Sequence, residues 1–337
     1  MLPFSEYFDE WLYGEDGYYS NYKAIGKDGD FFTAVSASKL FGGTIAKRII
    51  ETIQSGFVPN NTTILEIGAH HGYLMADIIQ FIYTLKPELL QTLQFAIVER
   101  YENLQIQQKE YLEQSFGDAI NFRHFNSLDE VDLESAIIVA NEIFDAFPCE
   151  LIYTKDGILE QGFVDNHKIT FQKCKNEEIL KLCQKYSISK GELPLSFVPF
   201  AKTLASKIKK FEFITFDYGD HFPRNDFSCR IYSKHQVFPL FEDNLDLKEL
   251  YKKSDITFDV NFSFLIECFK DAGVENIIYE TQLKGLVRFG IIELLEILHK
   301  NADEKTYIRE ANKVKTLLEP VGMGDRFKVA IFRKNLI

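Results

Sequence analysis

Short, almost continuous apolar runs alternate with longer segments of helical periodicity along the first half of the chain. The runs TILEIG (63–68), LQFAIVE (93–99), INFRHF (120–125) and SAIIVA (135–140) predict four strands, and the segments between them predict helices. A strand that is apolar on both faces is typical of a parallel sheet covered by helices. The pattern therefore predicts an α/β fold with a doubly wound parallel sheet.

This alternation is interrupted after the fourth predicted strand. Residues 150–172 predict an antiparallel meander with turns at Asp156-Gly157 and Asp165-Asn166, and two helical stretches follow. The parallel pattern resumes at FEFITFDYG (211–219), and FKVAIFRK (327–334) predicts a last, antiparallel strand reached through a long helical connection. We therefore predict a seven-stranded sheet. The chain is predicted to have four segments: an N-terminal extension with a Gly-rich segment (1–60), the first part of the core (61–148), an inserted, substrate-selecting β/α subdomain (149–210) and the rest of the core with a helical insertion (211–337).

Polar residues directly follow the predicted strands. The fourth strand runs into Asn141 and Glu142, with Asp145 close behind, while the second strand closes on Glu99 and the fifth on Asp217. In sheets of this kind, ligands bind beyond the carboxyl ends of the strands. We therefore predict a ligand site at this edge of the sheet.

The turn between the first strand and its helix carries Gly68 and Gly72. Glycines let a nucleotide approach the backbone closely, and the helix that follows offers unpaired amides to an anion. The dinucleotide fingerprint GxGxxG is absent, and a tight turn without any ligand uses glycines as well. Glu99 favours an adenosine site, because an acid that ends the second strand can accept both hydroxyls of a ribose.

Composition and charge narrow the classes of function. The 337-residue chain is 46% hydrophobic and has a formal net charge of −12, which argues against general affinity for nucleic acid or anionic membranes and permits a cationic substrate. No apolar run approaches the roughly 18 residues of a membrane span, and the acidic, aromatic first residues are unlike a signal peptide. Five scattered cysteines without CxxC spacing predict reduced thiols and a cytoplasmic location.

The pair His70-His71 is the strongest indication of a metal site. Adjacent residues on a loop usually point in different directions, and no third ligand is near in sequence. No metal is therefore predicted.

Several segments of the chain resemble, in order, the successive blocks of the MidA family. This family comprises S-adenosylmethionine-dependent methyltransferases related to the mitochondrial complex I assembly-factor protein arginine methyltransferase. The resemblance spans nearly the whole chain and implies a Rossmann-like class I methyltransferase fold, S-adenosyl-L-methionine as cofactor, and a protein substrate with a target arginine, by analogy in a respiratory complex I type subunit. The matching segments are GYYSNYKAIGKDGDFFTA, LEIGAHHGYLMADI, IVANEIFDAFP, FDYG, DITFDVNFSFL and EPVGMGDRFKV.

The resemblance implies cofactor contacts in the loop after the first strand, at the acid that ends the second, in the turn after the third and at the end of the fourth. These positions are Glu66, Gly68, Gly72, Glu99, Asn126, Ser127, Leu128 and Asn141. Two adjacent positions depart from the family pattern. The central glycine of the cofactor loop is replaced by His70, preceded by Ala69 where a proline is usual.

The family signature after the fourth strand corresponds to Asn141, Glu142, Asp145 and Pro148, which implies catalytic roles for the first three. Asp30 and Thr33 fall in the N-terminal Gly-Asp-Phe block and are expected to shape the substrate entrance. We expect Asp217 to add a further acidic wall to the same site.

The chemistry explains why acids would be needed. Methyl transfer from a sulfonium requires the nucleophile about 3 to 3.5 Å from the methyl carbon and in line with the breaking bond. A guanidinium has no readily available lone pair, since its pKa is above about 12 and its charge is delocalised. Carboxylates that bind two of its N–H groups localise that charge, and they bind more strongly in the transition state. We predict that Glu142 and Asp145 form this clamp, while a helix N-cap at Asn141-Glu142 is the structural alternative.

Three classes of function remain open at this point. The first is a protein arginine methyltransferase, the second is a methyltransferase for another nucleophile or a small molecule, and the third is an assembly factor that binds the cofactor without turnover. The sequence identifies neither the methylated substrate nor the oligomeric state.

Overall fold

The computed structural model describes residues 1–20, 33–120, 122–222 and 224–336. The chain forms two compact units. The first unit draws its described residues from 1–31, 144–201 and 218–268, and the second from 32–143, 202–217 and 269–337.

The described strands and helices are numbered in chain order. The strands are β1 Leu2–Pro3, β2 Thr63–Ile67, β3 Gln94–Val98, β4 Phe122–Phe125, β5 Leu133–Asn141, β6 Glu150–Lys155, β7 Ile158–Asp165, β8 Lys168–Lys173, β9 Lys190–Leu193, β10 Ile208–Asp220, β11 Arg230–Ser233, β12 Gln236–Pro239, β13 Asp255–Thr257, β14 Val260–Asn261, β15 Glu275–Thr281 and β16 Phe327–Lys334. The helices are α1 Phe4–Tyr13, α2 Ala34–Ala37, α3 Lys39–Gln54, α4 Tyr73–Leu85, α5 Glu102–Phe116, α6 Glu177–Tyr186, α7 Phe197–Lys207, α8 Leu247–Leu250, α9 Phe262–Asp271, α10 Gln282–Arg288, α11 Ile291–Asn301 and α12 Glu304–Leu318.

The second unit is built on a sheet with the strand order β15-β16-β10-β5-β2-β3-β4. The pairs β4–β3, β3–β2, β2–β5 and β5–β10 are parallel, and β15–β16 is antiparallel. All five residues of β2 are buried, as are Ala136–Ala140 of β5, which explains why these strands lack polar alternation. The predicted α/β fold with a mostly parallel central sheet is therefore confirmed.

A buried carboxylate joins helix α3 to this sheet. Glu212 of β10 is fully buried and accepts hydrogen bonds from Arg48 Nε (2.9 Å), Arg48 Nη2 (2.8 Å), Thr52 Oγ1 (2.9 Å) and Arg333 Nε (2.7 Å). Charge-assisted bonds of this kind compensate the cost of burying the charge. The start of α3 is fixed separately, because Ser38 Oγ accepts from the Leu40 N–H at 3.2 Å.

The first unit contains the predicted meander. Strands β6, β7 and β8 pair in succession and antiparallel, and the sheet continues through β1 on β7 and β9 on β6. The first turn has positive φ at Asp156 and Gly157, as predicted. The second prediction is wrong by one residue: the positive φ values are at Asn166 and His167, because Asp165 still pairs with Lys168 in the ladder.

Two further sets of strands complete the first unit. Strands β12, β11 and β13 form a small antiparallel sheet, and β14 pairs in parallel with Gly219 and Asp220 at the end of β10. Helix α1 is anchored by Trp11, whose Nε1–H donates to the Ser254 carbonyl at 2.7 Å. The five cysteines are free and buried. Among the described residues, none of the helices has the length and apolar character of a membrane span.

Candidate active site at the carboxyl edge of the sheet

The loop after β2 combines glycines with a histidine in a glycine-like conformation. Gly68, His70 and Gly72 have φ values of 73°, 50° and 78°. A Cβ on Gly68 would lie 2.9 Å from Ile143 Cγ2, and the N–H of Gly72 donates to the Ala69 carbonyl at 2.7 Å where α4 begins. Non-glycine residues in the left-handed region are uncommon. The loop therefore keeps its left-handed backbone at His70 although the side chain disfavours it.

Glu66 lies in β2, directly before this loop, and only 3% of it is exposed. Burial raises its pKa to about 8, the Met75 backbone N–H acts in the opposite direction, and the carboxylates of Asp77 and Glu99 raise it further. Its Oε2 atom has no hydrogen-bond partner among the residues that the structure describes. Because a buried acceptor without a donor is costly, this atom is suited to receive a hydrogen bond from a ligand.

Asn141 and Glu142 are brought together at the end of β5. Asn141 Nδ2 donates to Glu142 Oε1 at 2.9 Å, and its own Oδ1 is buried with no partner in the described part of the chain. The backbone of Glu142 is left-handed, with φ 53°, and its N–H donates to the Phe216 carbonyl at 2.8 Å. The N-cap alternative is wrong, since Asn141 belongs to β5 and its side-chain oxygen accepts no backbone N–H.

Glu99 follows β3 and is held by two neighbours. Its Oε1 accepts from the Tyr101 N–H at 3.0 Å and its Oε2 from Gln108 Nε2 at 3.3 Å. Burial raises the pKa of this carboxyl, and both hydrogen bonds lower it. A carboxylate oxygen has about two acceptor sites, so each oxygen keeps capacity for a ligand hydroxyl.

The turn after β4 lies beside Glu99. Asn126 is exposed, its Oδ1 accepts from Gln105 Nε2 at 3.0 Å, and Gln105 Nε2 also donates to the Glu99 carbonyl at 2.6 Å. Ser127 is exposed and Leu128 is half-buried at the start of a short 3-10 turn. Of the cofactor contacts predicted in this turn, Asn126 is therefore linked through Gln105 to the loop of Glu99.

Asp145 belongs to the first unit, whereas Glu142 belongs to the second. Asp145 is 5% exposed and accepts a hydrogen bond from the Tyr218 hydroxyl. Burial raises the pKa of its carboxyl to about 6, against the opposing effects of Tyr218 and of the Arg230 cation, which lies 4.7 Å from the Tyr218 ring centroid. The clamp of Glu142 with Asp145 stays a prediction.

The remaining predicted site residues have different positions. Asp217 is fully buried, but it does not close β10, because pairing with β14 extends the strand to Asp220. Thr33 caps α2: its Oγ1 accepts from the Ser36 N–H at 3.3 Å, and Ser36 Oγ accepts from the Thr33 N–H at 2.9 Å. Asp30 lies outside the described residues.

Sequence reasoning missed two buried polar residues near the site. Asp77 is the sole charged residue of the apolar helix α4, and burial raises its pKa to about 7. Gln108 lies between Leu104 and Leu112 on the buried stripe of α5. A polar residue on an apolar stripe is the signal that would have found both. Across the described ranges, no group of three His, Cys, Asp or Glu side chains is placed to hold a metal ion.

The sheet order, the glycine loop and the acid after β3 together define a Rossmann-like methyltransferase. Residues 44–279 match the model of a family described as "Putative S-adenosyl-L-methionine-dependent methyltransferase". The chain belongs to this family, and it is an S-adenosylmethionine-dependent methyltransferase.

Relatives and solved structures agree with this family. The chain is 22% identical to the mitochondrial "Protein arginine methyltransferase NDUFAF7 homolog" of Drosophila melanogaster, over 97% of this chain and 80% of the relative, and 24% identical to NDUFAF7 of Danio rerio, over 93% and 78%. A crystal structure of a "likely methyl transferase" from Burkholderia thailandensis bound to S-adenosyl-homocysteine superposes with a TM-score of 0.84 at 24% identity, covering 100% of this chain and 88% of that one. This last similarity shows a shared fold.

The residues of the second unit fit the cofactor of the family. Glu99 would accept the ribose hydroxyls, and the unpartnered oxygens of Glu66 and Asn141 would accept from the cofactor's ammonium group. Amides at the start of α4 would bind its carboxylate. Gly68 leaves this side of the loop without a side chain, where a Cβ would be too close to Ile143.

Proposed function

We propose that this methyltransferase modifies an arginine side chain of a protein, by analogy a subunit of a respiratory complex I type assembly. The observation that carries the proposal is Glu142, a half-buried carboxylate held at the end of β5 by a left-handed backbone and by Asn141. The two relatives carry the name of protein arginine methyltransferases, which supports the same substrate class. The net charge of −12 is compatible with a basic target segment.

The bound cofactor supplies an electrophilic methyl group on a sulfonium. Glu142 binds the N–H groups of the substrate guanidinium, which localises its charge and directs one nitrogen toward the reacting carbon. Asn141 restrains the Glu142 carboxylate through Nδ2 and reduces the reorganisation needed during transfer. The methylated guanidinium releases one proton, which a Glu142 oxygen can accept. Asp145 is proposed as the second acid of the clamp.

The decisive experiment identifies the modified residue. The pure protein is incubated with isotope-labelled S-adenosylmethionine and a lysate from cells that lack it, and the labelled residue is located by mass spectrometry. We expect label on an arginine side chain. Label on another amino acid or on a small molecule would replace the arginine proposal with the second class of function, and binding without any label would favour the assembly-factor class.

Glu142→Gln separates binding from transfer. We expect unchanged S-adenosyl-homocysteine affinity and a loss of about a hundredfold or more in transfer rate, since a preorganised charge acting in the transition state is worth that much. Glu134→Gln is the matched control, because Glu134 is an exposed acid on the same strand. Full transfer activity in Glu142→Gln would contradict the assigned role.

The cytoplasmic location predicted from the cysteines is likewise a proposal. Five free, buried thiols support a reducing compartment. Fractionation of cells expressing the tagged protein tests it.

A further inference from the structure

Helix α5 places a fully buried amide beside the cofactor loops. Leu104, Gln108 and Leu112 are its buried residues, and Gln108 is 0% exposed. Burying a primary amide is costly unless its donors and acceptor are all paired. The contacts of Gln108 therefore indicate why an apolar residue does not occupy this position.

Gln108 contacts three different segments of the second unit. Its Nε2 donates to the His70 carbonyl at 2.7 Å and to Glu99 Oε2 at 3.3 Å, and its Oε1 lies 2.8 Å from His124 Nε2. The carbonyl and the carboxylate are acceptors, so the amide nitrogen must face them. The amide oxygen then faces His124, which must donate through Nε2.

His124 completes the network as a neutral donor. Burial, with a smaller effect of Lys109, lowers the pKa of His124 to about 4, so the ring is uncharged near pH 7. The hydrogen bond to Gln108 then assigns the ring proton to Nε2. One histidine on β4 thereby fixes the orientation of the amide on α5.

The contact with the His70 carbonyl has a specific consequence. His70 occupies the left-handed region at φ 50°, which favours glycine. Gln108 also lies beside the end of the same loop, because a Cβ built on Gly72 would be 3.5 Å from Gln108 Cγ. The amide thus holds the peptide of His70 in a conformation that its side chain disfavours.

We propose that Gln108 is a positioning residue of the cofactor site, which orients the Glu99 carboxylate toward the ribose and keeps the loop at His70 left-handed without a glycine. The inference rests on the proposed placement of the ribose at Glu99. Gln108 acts through Glu99 and His70, while His124 sets its orientation.

The test compares two ligands in calorimetric titrations: S-adenosyl-homocysteine and its 2′-deoxy analogue. Gln108→Leu is expected to weaken S-adenosyl-homocysteine binding about tenfold, the equivalent of one hydrogen bond to a charged group. The deoxy analogue lacks a hydroxyl for Glu99, so its affinity should fall less and the discrimination between the two ligands should shrink. Gln107 is an exposed glutamine that directly precedes Gln108 in the same helix. The variant Gln107→Leu is the matched control and should bind both ligands as the wild type does.

A second substitution tests the loop. His70→Gly removes the penalty for the left-handed backbone. Added to Gln108→Leu, it should therefore raise the affinity for S-adenosyl-homocysteine about threefold above that of Gln108→Leu alone. Equal losses for both ligands without rescue by His70→Gly would overturn the proposal, as would wild-type affinity in Gln108→Leu. Failure of the wild-type protein to bind S-adenosyl-homocysteine would instead contradict the placement of the cofactor.

The wild-type protein offers a test that needs no variant. The ¹⁵N chemical shifts of His124 at pH 7 should show the proton on Nε2, and a proton on Nδ1 would contradict the network. If Gln108→Leu does not fold, Gln108→Met keeps the length of the side chain and is titrated in its place.

Discussion

Two glutamates are buried in the sheet of the second unit, one near the carboxyl end of β2 and one in the first half of β10. Glu212 pairs with Ile137 of β5 and Glu66 with Val139, so both side chains project from the same face of the sheet. Glu212 accepts hydrogen bonds from Arg48, Thr52 and Arg333. Glu66 has one oxygen without a partner among the described residues, and its pKa is raised to about 8.

The difference shows that depth of burial alone does not identify a functional acid. Glu212 is the more buried of the two, yet its charge is compensated by protein cations, and it holds α3 and β16 to β10. Glu66 carries an uncompensated acceptor at the edge where ligands bind in such sheets. Substitution should therefore destabilise the fold at Glu212 and affect ligand binding at Glu66.

The largest effect is expected for Glu212→Gln. Arg48 and Arg333 would lose a buried anion, and breaking a buried pair costs on the order of 3 kcal/mol of unfolding free energy. Urea denaturation at pH 7 measures this loss. Glu293→Gln is the control, because Glu293 is 60% exposed in its pair with Lys47, and such pairs contribute at most about 1 kcal/mol. Equal effects in the two variants would contradict the structural role of Glu212.

The unfolding free energies of Glu66→Gln and the wild type should differ by an amount that changes with pH by about 1 to 2 kcal/mol. This is a fraction of the free energy that the full pKa shift of Glu66 would imply. The folded carboxyl keeps its proton up to about pH 8, above the ordinary value of 4.5. Its stabilisation is complete below about pH 4.5 and is lost as the pH rises toward 8. The variant lacks this loss of stability. Without cofactor, its unfolding free energy should therefore rise relative to that of the wild type as the pH increases from 5 to 8.

Chemical denaturation of both proteins across this pH range measures the difference. Parallel stability curves would show that Glu66 is already ionised and paired in the folded protein. Calorimetry should show weaker S-adenosyl-homocysteine binding in the same variant.

Tyr218→Phe tests Asp145, a buried acid of the first unit whose pKa, like that of Glu66, is raised by burial. The hydroxyl of Tyr218 donates to buried Asp145, so its loss should cost about 1 kcal/mol of unfolding free energy. The pKa of Asp145 should rise above about 6, because the hydrogen bond that lowers it is gone. A ¹³C NMR titration of the carboxyl checks the direction. Tyr83→Phe, at a 62% exposed tyrosine, should leave the unfolding free energy unchanged.

The smallest effect is expected for Thr33→Ala. Loss of an exposed cap on the short helix α2 should cost about 0.5 to 1 kcal/mol, and calorimetric cofactor affinity should stay the same. Ser36→Ala removes the other half of the capping box and is the control. Altered substrate preference in Thr33→Ala alone would support the predicted role at the substrate entrance, whereas equal behaviour of the two variants would leave Thr33 only its capping role.

The fold followed from local patterns, because the buried strands and helices have distinct apolar periods. Strand β16, for example, begins and ends at the predicted residues. The polar edge of the sheet was likewise visible, since Asn141 and Glu142 interrupt an apolar run. These features depend on residues that are adjacent in sequence.

Contacts between distant segments were not predictable in this way. Gln108 reaches His70 across 38 positions, and Tyr218 reaches Asp145 across 73. Strand β10 extends beyond its predicted end to Asp220, because β14, a separate segment of the chain, pairs with it there. The positive φ of Glu142 could not be predicted from its residue type either, because glutamate rarely adopts a positive φ.

The position of β16 has a consequence for biosynthesis. This strand, Phe327–Lys334, lies between β15 and β10 in the sheet. The ribosome therefore delivers an interior strand only after all its neighbours, and until then the edges of β10 and β15 stay open to pairing with other nascent chains. Chaperones that shield exposed strand edges should consequently associate with this polypeptide after β10 and β15 have emerged, and should leave once residue 334 has emerged.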